Sequence, residues 1–475
     1  MIPAGTRLVL DPGTRRPRPG VVTGGTPWRV LRVAPAADRL LDAWSVGTPV
    51  GGRPAEGRLA ARLVDAGLAH PRPGPPDAAP PVTVVVPVRD RAAGLVATLA
   101  ALDPRDDVVV VDDGSTDAAA VQAAVAARPR TRLARRAVPG GPAAARNTGW
   151  RSVPTAPVVA FLDADCVPDP HWTQELARWF ADPAVVAVAA RVRPLPAGRG
   201  RRGRAGAGAA RVAYESVRSP LDLGTRPAPV RPGSRVAYVP AAALLVRRSA
   251  LDALGGFDEA LRTGEDVDLV WRLGALGRVR YEPAVTVGHP VRPGAPAWLA
   301  QRFGYGRSAG PLAERHGAAV APLALAPGVA SAWALLVAGR PLAASGVAVA
   351  AALTATGPRP GALREVLGPA LGAEVLTGPA IAAAVRRPWW PVAAAVALRH
   401  RRARRWLALA AAGPPLAAWW RHRPPGVGPG AWLALWLADD AAYGAGVWAG
   451  VLGCRTPSAL RALAPSRPGR VARRR

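Results

Sequence analysis

Two carboxylates at the end of an apolar run are the first residues of this sequence that suggest chemistry. Asp163 and Asp165 follow the run VVAFL (158–162) and lie two positions apart. Residues i and i+2 of an extended chain point to the same side, so both carboxylates can bind one divalent cation. A cation bound to a diphosphate neutralises charge on that group as it leaves. We therefore predict a metal site at Asp163 and Asp165.

A second acidic pair, Asp112 and Asp113, ends the apolar run that begins at residue 108. A turn capping the next helix would explain Ser115 or Asp117, which follow closely. It would not explain two adjacent carboxylates at the end of an apolar strand. In a parallel sheet, ligands bind at the carboxyl ends of the strands. The pair Asp112 and Asp113 is therefore predicted to contact a ligand.

Glu265 and Asp266 follow Gly264 and begin an amphipathic helical run. The helix dipole stabilises acidic residues at this position, which is a structural explanation for one of them. Two in succession suggest that one carboxylate points into a cleft and acts as general base for a hydroxyl. We predict this role for Asp266, supported by Glu265.

Two further side chains are candidates for the same site. Arg146 lies in the first turns of a helix that follows Gly140 and Gly141, and a helix N-terminus with an arginine in reach favours phosphate binding. His289 follows the strand-like run that begins at Tyr281, where it completes a metal or phosphate site or has a structural role. Both interpretations of His289 remain open.

These residues require elements that bring distant parts of the chain together. The apolar, β-branched runs at 82–88, 108–112 and 158–162 alternate with helical runs. Such runs are typical of a parallel sheet covered by helices on both faces. We therefore predict an α/β domain with the acidic residues along one edge of the sheet. The Arg/Gly-rich stretch 193–211 is either a solvated loop or a lid over a bound diphosphate.

Residues 1–70 form a separate zone. WRVLRV (28–33) predicts a strand, and a helix is predicted to begin at Pro35. A second helix is predicted to end near Gly67, and LAHPRP predicts a final strand. This order suits a small winged-helix-like module. Three roles are open for this module: packing against the rest of the protein without a ligand, peptide recognition through an exposed strand edge, or DNA binding. The Pro-rich residues 71–81 are predicted to be a semi-extended linker.

Residues 318–475 are apolar and interrupted by arginine clusters. The stretches 318–339 and 341–357 contain no charged residue, and RHRRARR (399–405) is strongly basic. Arginines beside apolar segments are typical of a cytosolic membrane face. We predict a helical region associated with the cell membrane lipid surface, with the catalytic domain facing the cytoplasm. The alternative is a soluble Ala-rich helical domain, and Asp439-Asp440 would be costly at bilayer depth unless paired.

The charge balance limits the other classes of function. The chain has 475 residues and a net charge of +30, carried entirely by arginine, and it contains 51 Gly and 53 Pro. Because this composition is biased towards Arg, Gly and Pro throughout, the positive charge alone is weak evidence for a polyanion partner. The densest arginine runs lie far from the winged-helix-like module, so we predict no nucleic acid as partner. Two cysteines exclude a disulfide framework, and the first twenty residues lack the apolar stretch of a signal peptide.

Four motifs in order, VVVPVRDR, VVVDDGSTD, FLDADC and GEDVDLVWRL, resemble family 2 glycosyltransferases of the GT-A fold. The resemblance covers about residues 82–310 of a domain that we place at 82–317. It implies that Asp112 and Asp113 bind the donor nucleoside, and that Asp163 and Asp165 bind Mg²⁺ or Mn²⁺ with the diphosphate. It also implies an inverting reaction with Asp266 as base. Arg146 would add to donor binding and His289 to the metal site.

A narrower resemblance, to the glycosyltransferases of the mycofactocin system, rests on YESVRSPLDLG (214–224), RVAYVPAAALLVRRSAL (235–251) and QRFGYGRSAG (301–310). It implies transfer of glucose from UDP-glucose to a peptide-derived redox cofactor precursor, as a short β-1,4-glucan. An acceptor on a polyprenyl-phosphate lipid or a cell-wall glycan is the alternative. Gln301-Arg302-Phe303 departs from the Gln-x-x-Arg-Trp motif of processive synthases. Trp298, Phe303 and Tyr305 remain candidates for stacking on sugar rings.

Overall fold

The computed structural model describes residues 1–74, 79–195, 207–292, 294–356 and 377–463. The chain divides into two compact units. The first comprises Met1–Gly200 and Arg218–Val291, and the second comprises Arg201–Val217 and Arg292–Arg475. Most of the stretch 193–211, for which a lid was considered, lies outside the described residues, as does the tail from residue 464.

The N-terminal part of the first unit is a small mixed module. Its elements are β1 (Leu8–Leu10), β2 (Arg15–Arg18), β3 (Val21–Gly24), β4 (Arg29–Arg32), α1 (Pro35–Ser45), α2 (Pro54–Asp65) and β5 (Ala69–Pro71). The predicted strand–helix–helix–strand order is present, and three strands precede it. β2, β3 and β4 form an antiparallel sheet, and β1 pairs with β5. β1, β2 and β3 were not predicted, and the residues of β2, RRPR, give no apolar signal for a strand.

A nine-stranded sheet forms the centre of the first unit. Its strands are β6 (Val82–Val88), β7 (Asp107–Asp112), β8 (Thr131–Arg135), β9 (Val158–Leu162), β10 (Val167–Pro168), β11 (Val185–Leu195), β12 (Ala228–Pro229), β13 (Ala243–Arg247) and β14 (Arg278–Pro290). The order is β10-β14-β11-β13-β9-β6-β7-β8, and β12 pairs with β14. β7, β6 and β9 are parallel as predicted, and β8, which was not predicted, extends the parallel part beside β7. β13 is antiparallel to both β9 and β11. The sheet is therefore mixed rather than purely parallel.

Helices cover both faces of this sheet, which is why its central strands are buried on both sides. They are α3 (Ala92–Ala101), α4 (Ala118–Ala126), α5 (Pro142–Arg151), α6 (Trp172–Ala177), α8 (Arg248–Leu254) and α9 (Glu265–Leu276). One core cluster contains Leu95, Val121 and Trp172, and the other contains Trp150, Leu251 and Leu269. The predicted α/β class is confirmed by this layered arrangement.

Ion pairs join the N-terminal module to the sheet domain. Asp11 pairs with Arg226 and Arg235, and Asp65 pairs with Arg278 at 2.7 Å. The module is therefore fixed to the sheet domain on this side.

The second unit is helical. It contains α7 (Ala207–Arg218) up to Val217, α10 (Ala295–Arg307), α11 (Ala309–His316), α12 (Pro327–Val337), α13 (Pro341–Thr356), α14 (377–386), α15 (Trp390–Arg399), α16 (Arg401–His422) and α17 (Pro429–Cys454), with the short strands β15 (Leu323–Ala324) and β16 (Ala462–Leu463). α10 and α11 therefore lie outside the unit that contains the sheet, whereas the sequence placed them in a domain ending at residue 317. The reason is their close packing on α17.

Buried ion pairs connect the helices of the second unit. Arg302 of α10 bonds Glu215 of α7 and Asp439 of α17, each at 2.9 Å. Asp440 pairs with Arg386 and Arg387, each at 2.7 Å. Asp439 and Asp440 are thus buried and paired, the condition under which carboxylates are tolerated away from water.

Among the residues that the structure describes, no helix combines the length and the apolarity needed to cross a lipid bilayer.

Candidate active site

The strand ends bring the predicted acidic residues to one edge of the sheet. β6 lies between β7 and β9, and the register pairs Val88 with Asp112 and Val85 with Phe161. All three strands run in the same direction, so Asp112–Asp113 and Asp163 follow neighbouring carboxyl ends. This is the edge at which ligands bind in open α/β sheets.

Asp163, Asp165 and His289 form a cluster whose ligand atoms all lie within 4.8 Å of one another. β14 brings the histidine there, because β10 pairs Val167 with Gly288. His289 Nε2 is 3.6 Å from Asp165 Oδ1, and Arg91 pairs with the other carboxylate oxygen of Asp165. Two carboxylates and one imidazole, all only partly exposed, are a chemically suitable ligand set for a divalent cation.

Arg146 links this cluster to the start of α9. Its Nη2 donates to Asp163 Oδ1 and its Nη1 donates to Glu265 Oε1, each at 2.8 Å. Burial alone would lower the pKa of Arg146, but Asp163 and Glu265 outweigh it and raise the pKa. The guanidinium therefore remains charged and fixes two acidic motifs relative to each other. The predicted contact of Arg146 with the donor stays a prediction.

Asp266 lies beside Glu265 in the first turn of α9 and is partly exposed. Its Oδ1 accepts a hydrogen bond from the backbone N–H of Val267 at 2.8 Å. Burial and the adjacent Glu265 carboxylate raise the pKa of Asp266 to about 7, although Arg146 acts in the opposite direction. A carboxylate of that pKa is suited to accept a proton near neutral pH.

Asp112 and Asp113 are both buried and organise the loops that follow them. Asp113 accepts hydrogen bonds from the backbone N–H groups of Gly140 and Gly141 at 2.9 and 2.7 Å, and from Arg136. Asp112 Oδ1 accepts from Ser115 N at 2.8 Å, and its Oδ2 receives no hydrogen bond among the described residues. The structure shows a loop-forming role for this pair, and the predicted nucleoside contact is left untested.

Three polar residues of the site were missed by the sequence reasoning. Arg91 pairs with Asp165, and Arg136 bonds both Asp113 and Thr148. Asn147 is buried, and its side chain bonds the loop before α9 at Phe257 and Glu259. The signal for Asn147 was available, since a polar residue within a buried, Ala-rich helix needs partners.

The aromatic residues considered for sugar stacking lie in the second unit. Trp298 is only 2% exposed and packs against Tyr214, with ring centroids 5.9 Å apart. It is a core residue, so the prediction that it stacks on a sugar is wrong. Phe303 is 37% exposed, and its stacking role stays a prediction.

Solved structures with some likeness to this chain share little sequence with it. A mannosyltransferase from Pyrobaculum calidifontis in complex with GDP-Man and Mn²⁺ matches with a TM-score of 0.39 and 23% identity, covering 72% of this chain and 86% of that chain. S. aureus TarS 1-349 matches with a TM-score of 0.35 and 17% identity, covering 48% and 64%. These scores are too low to transfer any residue or ligand.

Sequence comparison gives a firmer result. The model of the family "Glycosyl transferase family 2" matches residues 83–254. Two curated relatives, the pre-mycofactocin glycosyltransferases of Mycobacterium tuberculosis strains CDC 1551 / Oshkosh and ATCC 25618 / H37Rv, are each 39% identical over 465 residues, covering 92% of this chain and 93% of the relative. The chain therefore belongs to the family 2 glycosyltransferases, and its α/β sheet domain is of the GT-A type.

Proposed function

We propose that this enzyme is an inverting, metal-dependent glycosyltransferase of mycofactocin biosynthesis, which transfers glucose from UDP-glucose to a peptide-derived redox cofactor precursor. The pre-mycofactocin relatives support the pathway, since the identity extends over 92% of the chain. The observation that carries the chemistry is the Arg146 bridge. It joins the cation ligand Asp163 to Glu265, which adjoins the candidate base.

The donor end of the proposed site consists of Asp163, Asp165 and His289. A divalent cation held by these side chains would neutralise charge on the departing diphosphate. The imidazole favours Mn²⁺ over Mg²⁺, because Mg²⁺ prefers oxygen ligands and retains its water. Arg91 and Arg146 keep the two carboxylates in position, since each arginine pairs with one of them.

The acceptor end of the proposed site is Asp266. Its carboxylate removes the proton from an acceptor hydroxyl as that oxygen attacks C1 of the sugar. The bond between C1 and the phosphate oxygen breaks on the opposite face, and its electron pair leaves with UDP, so the anomeric configuration inverts. Repetition on the new terminal hydroxyl would build the short β-1,4-glucan.

The N-terminal module is proposed to recognise the peptide part of the acceptor. β4 pairs with β3 on one side, and no described strand pairs with its other edge. Trp28 and Val30, at this strand, are 60% and 44% exposed. An extended peptide added to such an edge gains backbone hydrogen bonds and apolar contacts.

Mass spectrometry of the reaction products tests the proposal. Full-length enzyme, Mn²⁺, the peptide-derived precursor and UDP-glucose should give products spaced by one hexose. Asp163→Ala should abolish the series, whereas Asp252→Ala, at an exposed position of α8, should leave it intact. Replacing UDP-glucose by GDP-mannose or UDP-N-acetylglucosamine tests the donor.

The acceptor assignment has its own contradicting outcome. If the precursor is unmodified but UDP is released when polyprenyl-phosphate lipid or a cell-wall glycan is added, the acceptor is one of those. If no combination of donor and acceptor releases more UDP with the wild type than with Asp163→Ala, the proposed transfer is wrong.

A further inference from the structure

Helices α15 and α16 of the second unit present large apolar side chains to solvent. Leu398 at the end of α15 is 82% exposed, and Leu409 and Trp420 on α16 are 58% and 67% exposed. Val392 and Val396 of α15 are also exposed, at 56% and 45%. Apolar residues scattered singly over a surface are ordinary, but a group on two adjacent helices needs an explanation.

The exposed residues of α16 follow helical spacing. Arg402, Arg405, Leu409, Leu416 and Trp420 succeed one another at intervals of 3, 4, 7 and 4 residues, so they form one stripe along the helix. The stripe is basic at its beginning and apolar along the rest.

Hydrogen bonds fix the sides of α16 that flank the stripe to other parts of the second unit. Trp432 Nε1 donates to Pro415 O at 2.9 Å, and Trp419 Nε1 donates to Val427 O at 2.8 Å. Arg386 Nη1 donates to Ala410 O at 2.6 Å. Because these contacts hold both flanks of α16, the exposed stripe cannot turn inward without breaking them.

The surroundings of the stripe are strongly positive. Residues 375–438 contain nine arginines and no acidic residue. Two of them, Arg386 and Arg387, pair with Asp440. The remaining seven are exposed and form no salt bridge with any carboxylate that the structure describes: Arg399, Arg401, Arg402, Arg404, Arg405, Arg421 and Arg423. Arg423 lies 3.8 Å from the ring centroid of Trp420, which places a cation beside the largest apolar side chain.

We propose that α15 and α16 form a docking surface for the headgroup region of an anionic phospholipid bilayer. The arginines match the negative charge of such a surface, and Leu398, Leu409 and Trp420 are positioned to enter the boundary with the acyl chains. A polyanion such as nucleic acid would be bound by the arginines alone and would not use the exposed leucines. The docking surface is independent of the acceptor proposed above.

Vesicle cosedimentation with the full-length protein tests this surface. Vesicles of phosphatidylcholine with phosphatidylglycerol should bind the protein. Vesicles of phosphatidylcholine alone should bind it at least about tenfold more weakly. The triple variant Leu409→Ser/Leu416→Ser/Trp420→Ser should weaken binding at least about tenfold. Arg401→Gln/Arg404→Gln/Arg405→Gln should do the same, and this combination spares Arg402, which bonds Ala338 O.

Matched controls separate docking from general effects. Val96→Ser removes an exposed apolar residue of α3, and Arg39→Gln/Arg53→Gln/Arg58→Gln removes three exposed arginines of the N-terminal module. Both should bind vesicles like the wild type. Circular dichroism melting checks folding, and Leu398→Ser alone is a milder variant, expected to weaken binding about threefold.

Two outcomes would overturn the proposal. In the first, the wild type does not bind anionic vesicles, or both triple variants bind as it does. In the second, only the arginine variant loses binding and heparin binds equally well, which would identify a general polyanion surface. Loss of binding in both folded variants, with UDP release in solution unchanged, supports a lipid-docking surface.

Discussion

Arg146 is the residue on which the charge balance of the site depends. It places one nitrogen on Asp163 and one on Glu265, and its side chain is only 7% exposed. Without this cation, two carboxylates from different motifs would face each other uncompensated. Like charges in a poorly solvated site repel strongly, so the bridge has both a structural and a functional effect.

Substitution of Arg146 should reveal both effects. Arg146→Met should lower the free energy of unfolding by about 3 kcal/mol, because it leaves the buried Glu265 and the partly exposed Asp163 without their partner. Urea unfolding measures this, with Arg151→Met on the same helix as control. Arg151 is 54% exposed and its ion pair with Glu259 is 3.5 Å long, so its loss should cost less than about 1 kcal/mol. Equal losses in the two variants would contradict the bridging role.

Asp266 should determine the pH dependence of transfer. As a base it acts only when ionised, and its pKa is raised to about 7. We therefore expect the rate to rise with pH up to about 7 and to level off above it. Glu265→Gln should move the inflection to lower pH, since it removes a neighbouring negative charge, and Asp266→Asn should lower the rate about 10³-fold. Rate measurements across pH check this, and an unchanged profile in Asp266→Asn would eliminate the assignment.

At the scale of elements, two helices of the second unit approach each other unusually closely. A Cβ added at Gly306 of α10 would lie 2.0 Å from Tyr443 O of α17. One added at Gly446 of α17 would lie 2.1 Å from Phe303 O. Such distances leave no room for a side chain, so the packing of α10 on α17 depends on glycine.

Gly306→Ala should therefore destabilise the second unit by about 1–3 kcal/mol, through overpacking against a helix backbone. Gly304 supplies a control on the same helix, since an added Cβ there meets nothing within 4 Å. Gly304→Ala should stabilise the protein by about 0.5–1 kcal/mol, the ordinary gain from alanine in a helix. Thermal and urea unfolding of the two variants should differ in sign. Destabilisation by both would mean that helix packing is not the cause.

The strands that end in acidic motifs were predictable, and the contacts between motifs were not. Asp112 and Asp163 follow apolar, β-branched runs, so local pattern and strand direction place them at one edge. The approach of His289 to Asp165 depends on the register of β14, which has an irregularity between residues 282 and 286. Nothing local in the sequence determines that register.

The division of the chain into two compact units was also beyond local pattern. The sequence pattern indicated that α10 and α11 continue the sheet domain. They belong to the second unit because α17 packs against them. The buried pairing of Arg302 with Glu215 and Asp439 involves three helices far apart in the sequence. Taken alone, each of these three charged residues would have predicted a solvated surface.

At the scale of the whole first unit, one buried relay joins the N-terminal module to the sheet domain. His70 Nε2 lies 2.9 Å from Asp11 Oδ2, and Arg280 Nη2 lies 3.3 Å from His70 Nδ1. An arginine only donates, so Nδ1 accepts and the proton of the neutral imidazole lies on Nε2, where it is donated to Asp11. The attachment of the module thus requires an uncharged histidine.

The stability of the first unit should consequently decrease at acid pH. Burial, followed by the charge of Arg280, lowers the pKa of His70 from 6.5 to about 4. Above pH 6.5 the histidine is neutral in both the folded and the unfolded chain, and its contribution is fully present. As the pH falls from 6.5 towards about 4, only the unfolded chain takes up the proton, which costs up to about 3 kcal/mol of stability.

The variant His70→Gln isolates this contribution, because an amide donates to Asp11 and accepts from Arg280 without titrating. Its free energy of unfolding is measured in urea over the same pH range. The decrease towards acid pH should be smaller than that of the wild type by up to about 3 kcal/mol. His171→Gln is the control, since it replaces a histidine that is 58% exposed and lies outside the module. If His70→Gln retains the full acid sensitivity of the wild type, the histidine is not the group that makes module attachment depend on pH.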